Sequence, residues 1–251
     1  PDRLRRCLKS IRINTPRAEP FKVLVVDDCS TPDNVQRNKD VIHEFGVEMI
    51  THQERFGVAR GWNDLTRHTK APYVILMNAD VEVVPDWYEA LVFSLKHHLH
   101  AGMIGLTSYQ GVHSTNFTPP PLKSYNEARM QRGVGMISST GFLFGFERKK
   151  FEEIKGFDDG FFLFYEEVDF GVRLLLKGWP SYMLSYPVVI HQGGASTSDT
   201  RNVSDPQGIM AESRARFKAK LGSIASIREK VGDDLQFPVR EWNTMLKTWV
   251  D

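Results

Sequence analysis

Tyr73-Val74-Ile75-Leu76-Met77 is an unbroken apolar run that ends in Asn78-Ala79-Asp80. Five successive apolar residues without alternation fit a strand covered on both faces, which requires helices on either side of its sheet. A carboxylate at the end of such a strand costs free energy unless a cation or hydrogen-bond donors satisfy it. In an open α/β sheet the strand ends are also where ligands bind. Asp80 is therefore a candidate ligand for a divalent metal holding a phosphorylated substrate. The plainer reading is a carboxylate that ends a strand and caps a turn.

The rest of the chain repeats the pattern. Residues 21–26 and 47–51 read as strands, followed by 71–77, 103–108, 139–146 and 187–190. Helical patterns fall at 33–45, 57–69, 87–98, 148–154, 166–177 and 207–221, with a further one near 238–249. Strands alternating with helices of this length predict βαβ units and a mostly parallel sheet flanked by helices. The chain opens directly into a helix with Leu4, Cys7, Leu8 and Ile11 on one face, so an element upstream of Pro1 is expected. Residues 111–135, with Pro119-Pro120-Pro121, break the rhythm as a long irregular insert; such inserts in compact domains serve as binding or lid loops, or are simply surface loops.

Composition removes several alternatives. A net charge of +1 gives no whole-chain argument for a nucleic-acid partner. Cys7 and Cys29 form no CxxC pair, so neither a disulfide framework nor a zinc knuckle is indicated, and a reducing compartment is the default. No apolar stretch approaches the roughly 18 residues that span a bilayer.

Four polar clusters sit at expected strand ends or beside them: Asp27-Asp28, Asp80, Glu166-Glu167 with Asp169, and His191. Each has a purely structural alternative. Asp27-Asp28 would cap a turn, Asp169 and Arg173 would form an i,i+4 ion pair, Glu166 and Glu167 would complement a helix N-terminus, and His191 would be a satisfied strand-end residue. In a doubly wound sheet, however, these ends converge on one crevice, and carboxylates so gathered call for a cation. Trp62, Trp87, Phe161, Phe162, Phe164, Tyr165 and Trp179 lie near these clusters; they suit sugar stacking or core packing alike.

Val25-Val26-Asp27-Asp28-Cys29-Ser30-Thr31, Asn78-Ala79-Asp80, Gly156-Phe157-Asp158 and the segment from Tyr165 to Arg173 together resemble the inverting family 2 glycosyltransferases of GT-A fold, in order and spacing over residues 1–220. The resemblance implies a GT-A (nucleotide-diphospho-sugar transferase) domain over 1–222, whose first strand would precede Pro1, and a C-terminal helical extension over 223–251. It assigns Asp28, with its neighbour Asp27, to the nucleotide base, and places Arg60 and Asn63 near the nucleotide. Asp80 corresponds to the last Asp of the family's DxD motif, with Asn78 standing where many members carry the first. Glu167 corresponds to the catalytic base, more often Asp. His191, 24 residues on, corresponds to a second metal ligand. Glu166, Asp169 and Gly141 are supporting residues, Gly141 near the sugar.

The activity implied is Mn²⁺- or Mg²⁺-dependent, inverting transfer of a sugar from a UDP, GDP or dTDP donor to a hydroxyl of a glycan or lipid-linked acceptor, as in polysaccharide biosynthesis. No nucleophilic Ser or Cys and no nucleic-acid partner are expected. A cytoplasmic location is implied, at the membrane surface or beside a protein partner, with the helix near Trp242 and Trp249 either docking there or packing on the domain. Two other functions fit the same residues. One is a nucleotide-sugar-binding module with weak or no turnover. The other is a nucleotidyltransferase, which the Tyr165–Arg173 segment disfavours.

Overall fold

The structure, a computed structural model, describes residues 1–16, 20–110, 141–192, 205–222 and 226–227. The 111–135 insert and the segment holding Trp242 and Trp249 lie outside the described residues, as does most of the 223–251 extension. Among the described residues no helix is long and apolar enough to cross a membrane.

The chain begins with α1 (Asp2–Asn14), whose Leu4, Cys7 and Leu8 are buried. Their i, i+3, i+4 spacing forms one apolar stripe, and it packs on Val41 and Ile42 of α2 (Pro32–Phe45). Proline opens α2, where its missing N–H costs nothing, and Gly46 closes it at φ 65. That helix is the crossover between β1 (Leu24–Asp27) and β2 (Glu48–Thr51), which pair in parallel.

Next come α3 (Val58–Arg67), β3 (Tyr73–Met77), the two-residue β4 (Val81–Glu82), α4 (Trp87–His97) and β5 (Ile104–Gln110). After the insert follow β6 (Leu143–Glu147), α5 (Arg148–Glu153), α6 (Glu166–Leu175), β7 (Tyr182–His191) and α7 (Pro206–Leu221). The larger sheet has the order β3-β6-β5-β7-β4. Its two faces carry separate cores. On one, Phe144, Phe146, Phe151, Phe157, Phe161 and Phe170 pack with Trp62 and with Phe217 of α7. On the other, Leu143, Ile104 and Leu106 pack against Trp87, Leu91 and Leu95 of α4. Helices thus cover both faces, as the apolar β3 run requires.

The α/β architecture expected from the sequence is present, but the sheet is less parallel than the strand–helix alternation predicts. Among the described residues only β1/β2 and β5/β7 are parallel; β6 runs antiparallel to both β3 and β5, and β4 antiparallel to β7. Three residues, Asn78 to Asp80, join β3 to β4, which stand at opposite ends of the strand order and do not pair with each other. The β7 strand also starts earlier than Pro187. Its ladder with β5 is irregular between Leu106 and Ser108, opposite Leu184 and Val189, and that slip lets a residue without an N–H sit inside the strand.

The smaller sheet shares no ladder with the larger one among the described residues. A cavity of about 850 Å³ lies between them, walled by β1 and β3 and by residues of α1 and α3, and bordered by Asp28, Ser30, Asn78 and Ala79 at the strand ends.

Phe146 has no solvent exposure and its ring meets those of Phe144, Phe151, Phe157 and Phe170. Phe146→Ala is expected to cost about 3–5 kcal/mol, read as a lower urea midpoint at unchanged slope; an unchanged midpoint would remove this cluster from the cooperative core.

Candidate active site

The site is assembled by the antiparallel strands. The β4/β7 ladder pairs Val81 with His191, and Gln192 N–H donates to Asp80 O at 3.1 Å. Asp80 and His191 are thereby held face to face, with Asp80 Oδ1 3.3 Å from His191 Nε2 and both side chains nearly buried. The His191 ring stacks on Phe142, 4.5 Å between centroids, and Nδ1 has no hydrogen-bond partner among the described residues. Asn78 N–H donates to Phe142 O at 2.8 Å, so the start of β6 is tied to the end of β3. The residue before Phe142 is Gly141, where a Cβ would lie 3.0 Å from Glu167 Cδ and Oε1. Two adjacent residues therefore connect Glu167 with the Asp80–His191 pair.

Glu167 and Glu166 open α6. Phe164 and Tyr165 precede them with φ of 67 at both positions. Two successive left-handed non-glycine residues are costly, and they turn the chain so that the first turn of the helix enters the site. Burial raises the Glu166 carboxyl well above its ordinary value, and the neighbouring Glu167 charge adds to this; Glu166 Oε2 has no hydrogen-bond partner among the described residues. Glu167 is raised as well, chiefly by burial, with backbone N–H groups opposing.

Asp80 Oδ1 and His191 Nε2 are close enough to meet on one divalent ion, and an acidic oxygen with one imidazole suits Mn²⁺ or Mg²⁺. No third His, Cys, Asp or Glu joins them among the described residues. This fits an ion that completes its shell with phosphate oxygens and water, as Mg²⁺ does at substrate-bridging sites.

At the other strand end, Asp28 borders the cavity. Its Oδ1 accepts from Phe56 N–H at 2.9 Å and its Oδ2 from Gly57 N–H at 2.8 Å. Cys29, at φ 62, bends the chain just after Asp28, and successive strand residues face opposite ways, which parts Asp28 from Asp27. Asp27 points the other way and is buried: it accepts from Ser30 N–H at 2.8 Å and from Asn38 Nδ2 at 2.7 Å. That is the turn-capping alternative, and it anchors α2. Arg60 is half-exposed on α3, its Nε donating to Asp64 at 2.9 Å.

Two residues assigned to the site are drawn into the scaffold instead. Asn63 is fully buried: its Nδ2 donates to Phe157 O at 2.9 Å and to Asp159, and its Oδ1 accepts from Phe157 N–H at 2.9 Å. Both amide donors are consumed in fastening α3 to the turn at 156–159, so none is left for a nucleotide. Asp169 is also fully buried, paired with Arg173 at 2.7 Å and with Lys220 of α7 at 2.6 Å. Lys220 and Arg216 also hold Asp158 at 2.7 Å each. Burial alone would raise the Asp158 carboxyl, but these cations and the Gly160 N–H carry it well below the usual range. Most of the aromatics near the motifs are core: Trp62, Trp87, Phe161 and Tyr165 are buried.

The sequence reading passed over three contributors: Phe142, which positions His191, and His52 with Asp64, which contact Asp28 and Arg60. His52 follows a strand end, so the rule that singled out the other clusters applies to it too.

The Glu166 shift has a consequence for stability. An acid whose folded-state pKa is raised contributes most below its unfolded value, ordinarily 4.5; that contribution is lost as pH climbs towards the folded value, because the unfolded chain gives up the proton first. Glu166→Gln is therefore expected to gain thermal stability on the wild type as pH rises above 4.5. A difference independent of pH, measured by thermal denaturation, would contradict a strained buried carboxyl.

Comparison with known proteins bears on the family and the fold. The family model described as glycosyl transferase family 2 matches residues 1–164. An N-acetylglucosaminyl-diphospho-decaprenol L-rhamnosyltransferase of Mycobacterium tuberculosis is 27% identical over 230 residues, covering 77% of this chain and 73% of the relative. Among solved structures, the mannosyltransferase PcManGT from Pyrobaculum calidifontis, in complex with GDP-Man and Mn²⁺, superposes with TM-score 0.65 at 16% identity over 92% of this chain. GalNAc-T7 with UDP, GalNAc and Mn²⁺ gives 0.61 at 16% identity over 97% of this chain. The chain spans 64% and 54% of the lengths of those two structures. At such identities the likeness concerns the fold, and it is the GT-A fold expected from the motifs. The chain belongs to glycosyl transferase family 2.

Proposed function

We propose that this chain transfers a sugar from a nucleotide diphosphate to a hydroxyl acceptor, with inversion and with a divalent metal. The observation that carries the reading is the joining of Glu167, through Gly141 and Phe142, to the Asp80–His191 pair. Asp80 and His191 would hold Mn²⁺ or Mg²⁺, which when bound supplies positive charge against the leaving diphosphate. Asp28, an acceptor-only carboxylate, suits an N–H on the base edge, and Arg60 adds a cation nearby. Glu167 takes the proton from the acceptor hydroxyl as its oxygen bonds to the anomeric carbon. The bond from that carbon to the diphosphate oxygen breaks on the opposite face, so one displacement inverts the centre. The raised Glu167 carboxyl makes a stronger base once ionised than an ordinary one.

The donor base falls among uridine, guanosine and deoxythymidine diphosphates. PcManGT was solved with GDP-Man, and GalNAc-T7 with UDP. The mycobacterial relative is named for rhamnosyl transfer to a diphospho-decaprenol-linked sugar, which favours a lipid-linked acceptor here over a free glycan. A cytoplasmic site of action, peripheral to the membrane or beside a protein partner, and a place in polysaccharide biosynthesis belong to the same proposal. So does the boundary at residue 222, although Ile227 still packs into the core beside Phe217.

Calorimetry with UDP, GDP and dTDP, each with Mn²⁺ and with EDTA, tests the donor site. One nucleotide is expected to bind only with Mn²⁺, and Asp80→Ala to weaken it at least tenfold; metal-independent binding untouched by Asp80→Ala would reject the metal assignment. Glu167→Gln is expected to keep nucleotide affinity and to lose roughly 10²- to 10⁴-fold in kcat. A wild type that binds donor but transfers to no acceptor would instead favour a binding module.

A further inference from the structure

His52 is the first residue after β2, and its N–H donates to Asp27 O at 2.9 Å, one step beyond the β1/β2 ladder. This backbone bond places the imidazole between the end of β1 and α3. Its side chain is only 7% exposed. Nδ1 lies 2.8 Å from Asp28 Oδ1 and Nε2 lies 3.2 Å from Asp64 Oδ2. Asp64 in turn accepts from Arg60 Nε at 2.9 Å, and the Phe56 ring meets the imidazole edge-on at 5.1 Å. The result is a line, Asp28–His52–Asp64–Arg60, buried at His52 and open at its ends; those two ends are the residues the proposed function sets beside the nucleotide.

The arrangement determines what Asp28 can do. A carboxylate offers about four lone-pair directions. Phe56 N–H, Gly57 N–H and His52 occupy three of them, and the side chain remains partly open on the cavity side. The two backbone donors belong to one short loop and would travel with it. The imidazole is anchored separately, to β1 through its backbone and to α3 through Asp64. It is thus the contact that fixes Asp28 relative to the rest of the domain.

We propose that His52 is a positioning residue for the donor nucleotide, holding the Asp28 carboxylate so that its remaining lone pair faces the base, and linking it through Asp64 to Arg60. The proposal rests on the reading of Asp28 as a base ligand given above. Its test uses two conservative replacements that separate the ring nitrogens. His52→Asn keeps a donor near Nδ1 and can still reach Asp28; His52→Gln keeps one near Nε2 and favours Asp64; His52→Phe removes both while retaining the ring.

Nucleotide affinity by calorimetry with Mn²⁺ is expected to fall roughly tenfold or more in His52→Phe and His52→Gln, the loss of one hydrogen bond to a charged group. It is expected to recover most of the way in His52→Asn. Donor KM should rise in parallel while kcat at saturating donor stays within about threefold. A merely structural role would lower the unfolding temperature of all three variants without this KM–kcat split. If the wild type binds a nucleotide and His52→Asn and His52→Gln bind it equally well, the proposal is overturned and the donor site stands; this pair decides the matter even if His52→Phe does not fold. If the wild type binds none of the three nucleotides, the functional reading falls and this one with it.

Discussion

The position of β6 between β3 and β5 is the constraint on which the rest of the molecule depends. In that place it must face two cores, and Leu143 and Phe144 point to opposite ones. A one-residue slip would send each to the wrong side, so the register is strongly fixed. The residues just before the strand inherit that precision. Phe142 accepts from Asn78 and stacks on His191, and Gly141 lies against Glu167. The chemistry is held by the same pairing that holds the sheet.

Carboxylates in this molecule fall into two groups with opposite electrostatics. Asp27, Asp158 and Asp169 are well satisfied, by amides, a turn or the cations of α6 and α7. Glu166 and Glu167 have backbone N–H groups but no cation acting on them among the described residues, and burial pushes them towards their neutral forms. Only one residue separates Glu167 from Asp169, yet a helix turns them apart, one into the site and one onto α7. Separating a strained pair from a neutralised neighbour is a familiar way to reserve acid–base capacity for one place.

Much of this was legible in the sequence. The strands and helices follow from apolar runs and their polar ends, and so does the placing of Asp80 and His191 at neighbouring strand ends. What stayed hidden depends on partners distant in the chain. Asn63 has the same local sequence whether it faces a nucleotide or Phe157, and only the packing of α3 against the 156–159 turn decides. The two-residue β4 is too short to carry a periodicity, and it exists because β7 lies alongside. The antiparallel share of the sheet follows from β6 returning between β3 and β5 and from β4 lying along β7, pairings between strands distant in the chain that no local pattern carries. His52 escaped notice because its significance lies in two carboxylates, one 24 residues before it and one 12 after.

The two cysteines occupy opposite chemical situations. Cys7 is buried on α1 beside Met77, and burial, with Asp80 and Glu82 nearby, pushes its thiol up to about 12. Thiolate is the reactive form, so Cys7 is silent towards alkylating reagents while the fold holds. Cys29 is half-buried and bonded only to Asp28 and Ser30 along the chain, with its Sγ 3.5 Å from Gln53 O. Of these two thiols Cys29 is therefore the addressable one, adjacent to the residue at the mouth of the cavity. A fluorophore placed there would report occupancy of that cavity without any engineered cysteine, and the delayed labelling of Cys7 would time the opening of α1 from the domain.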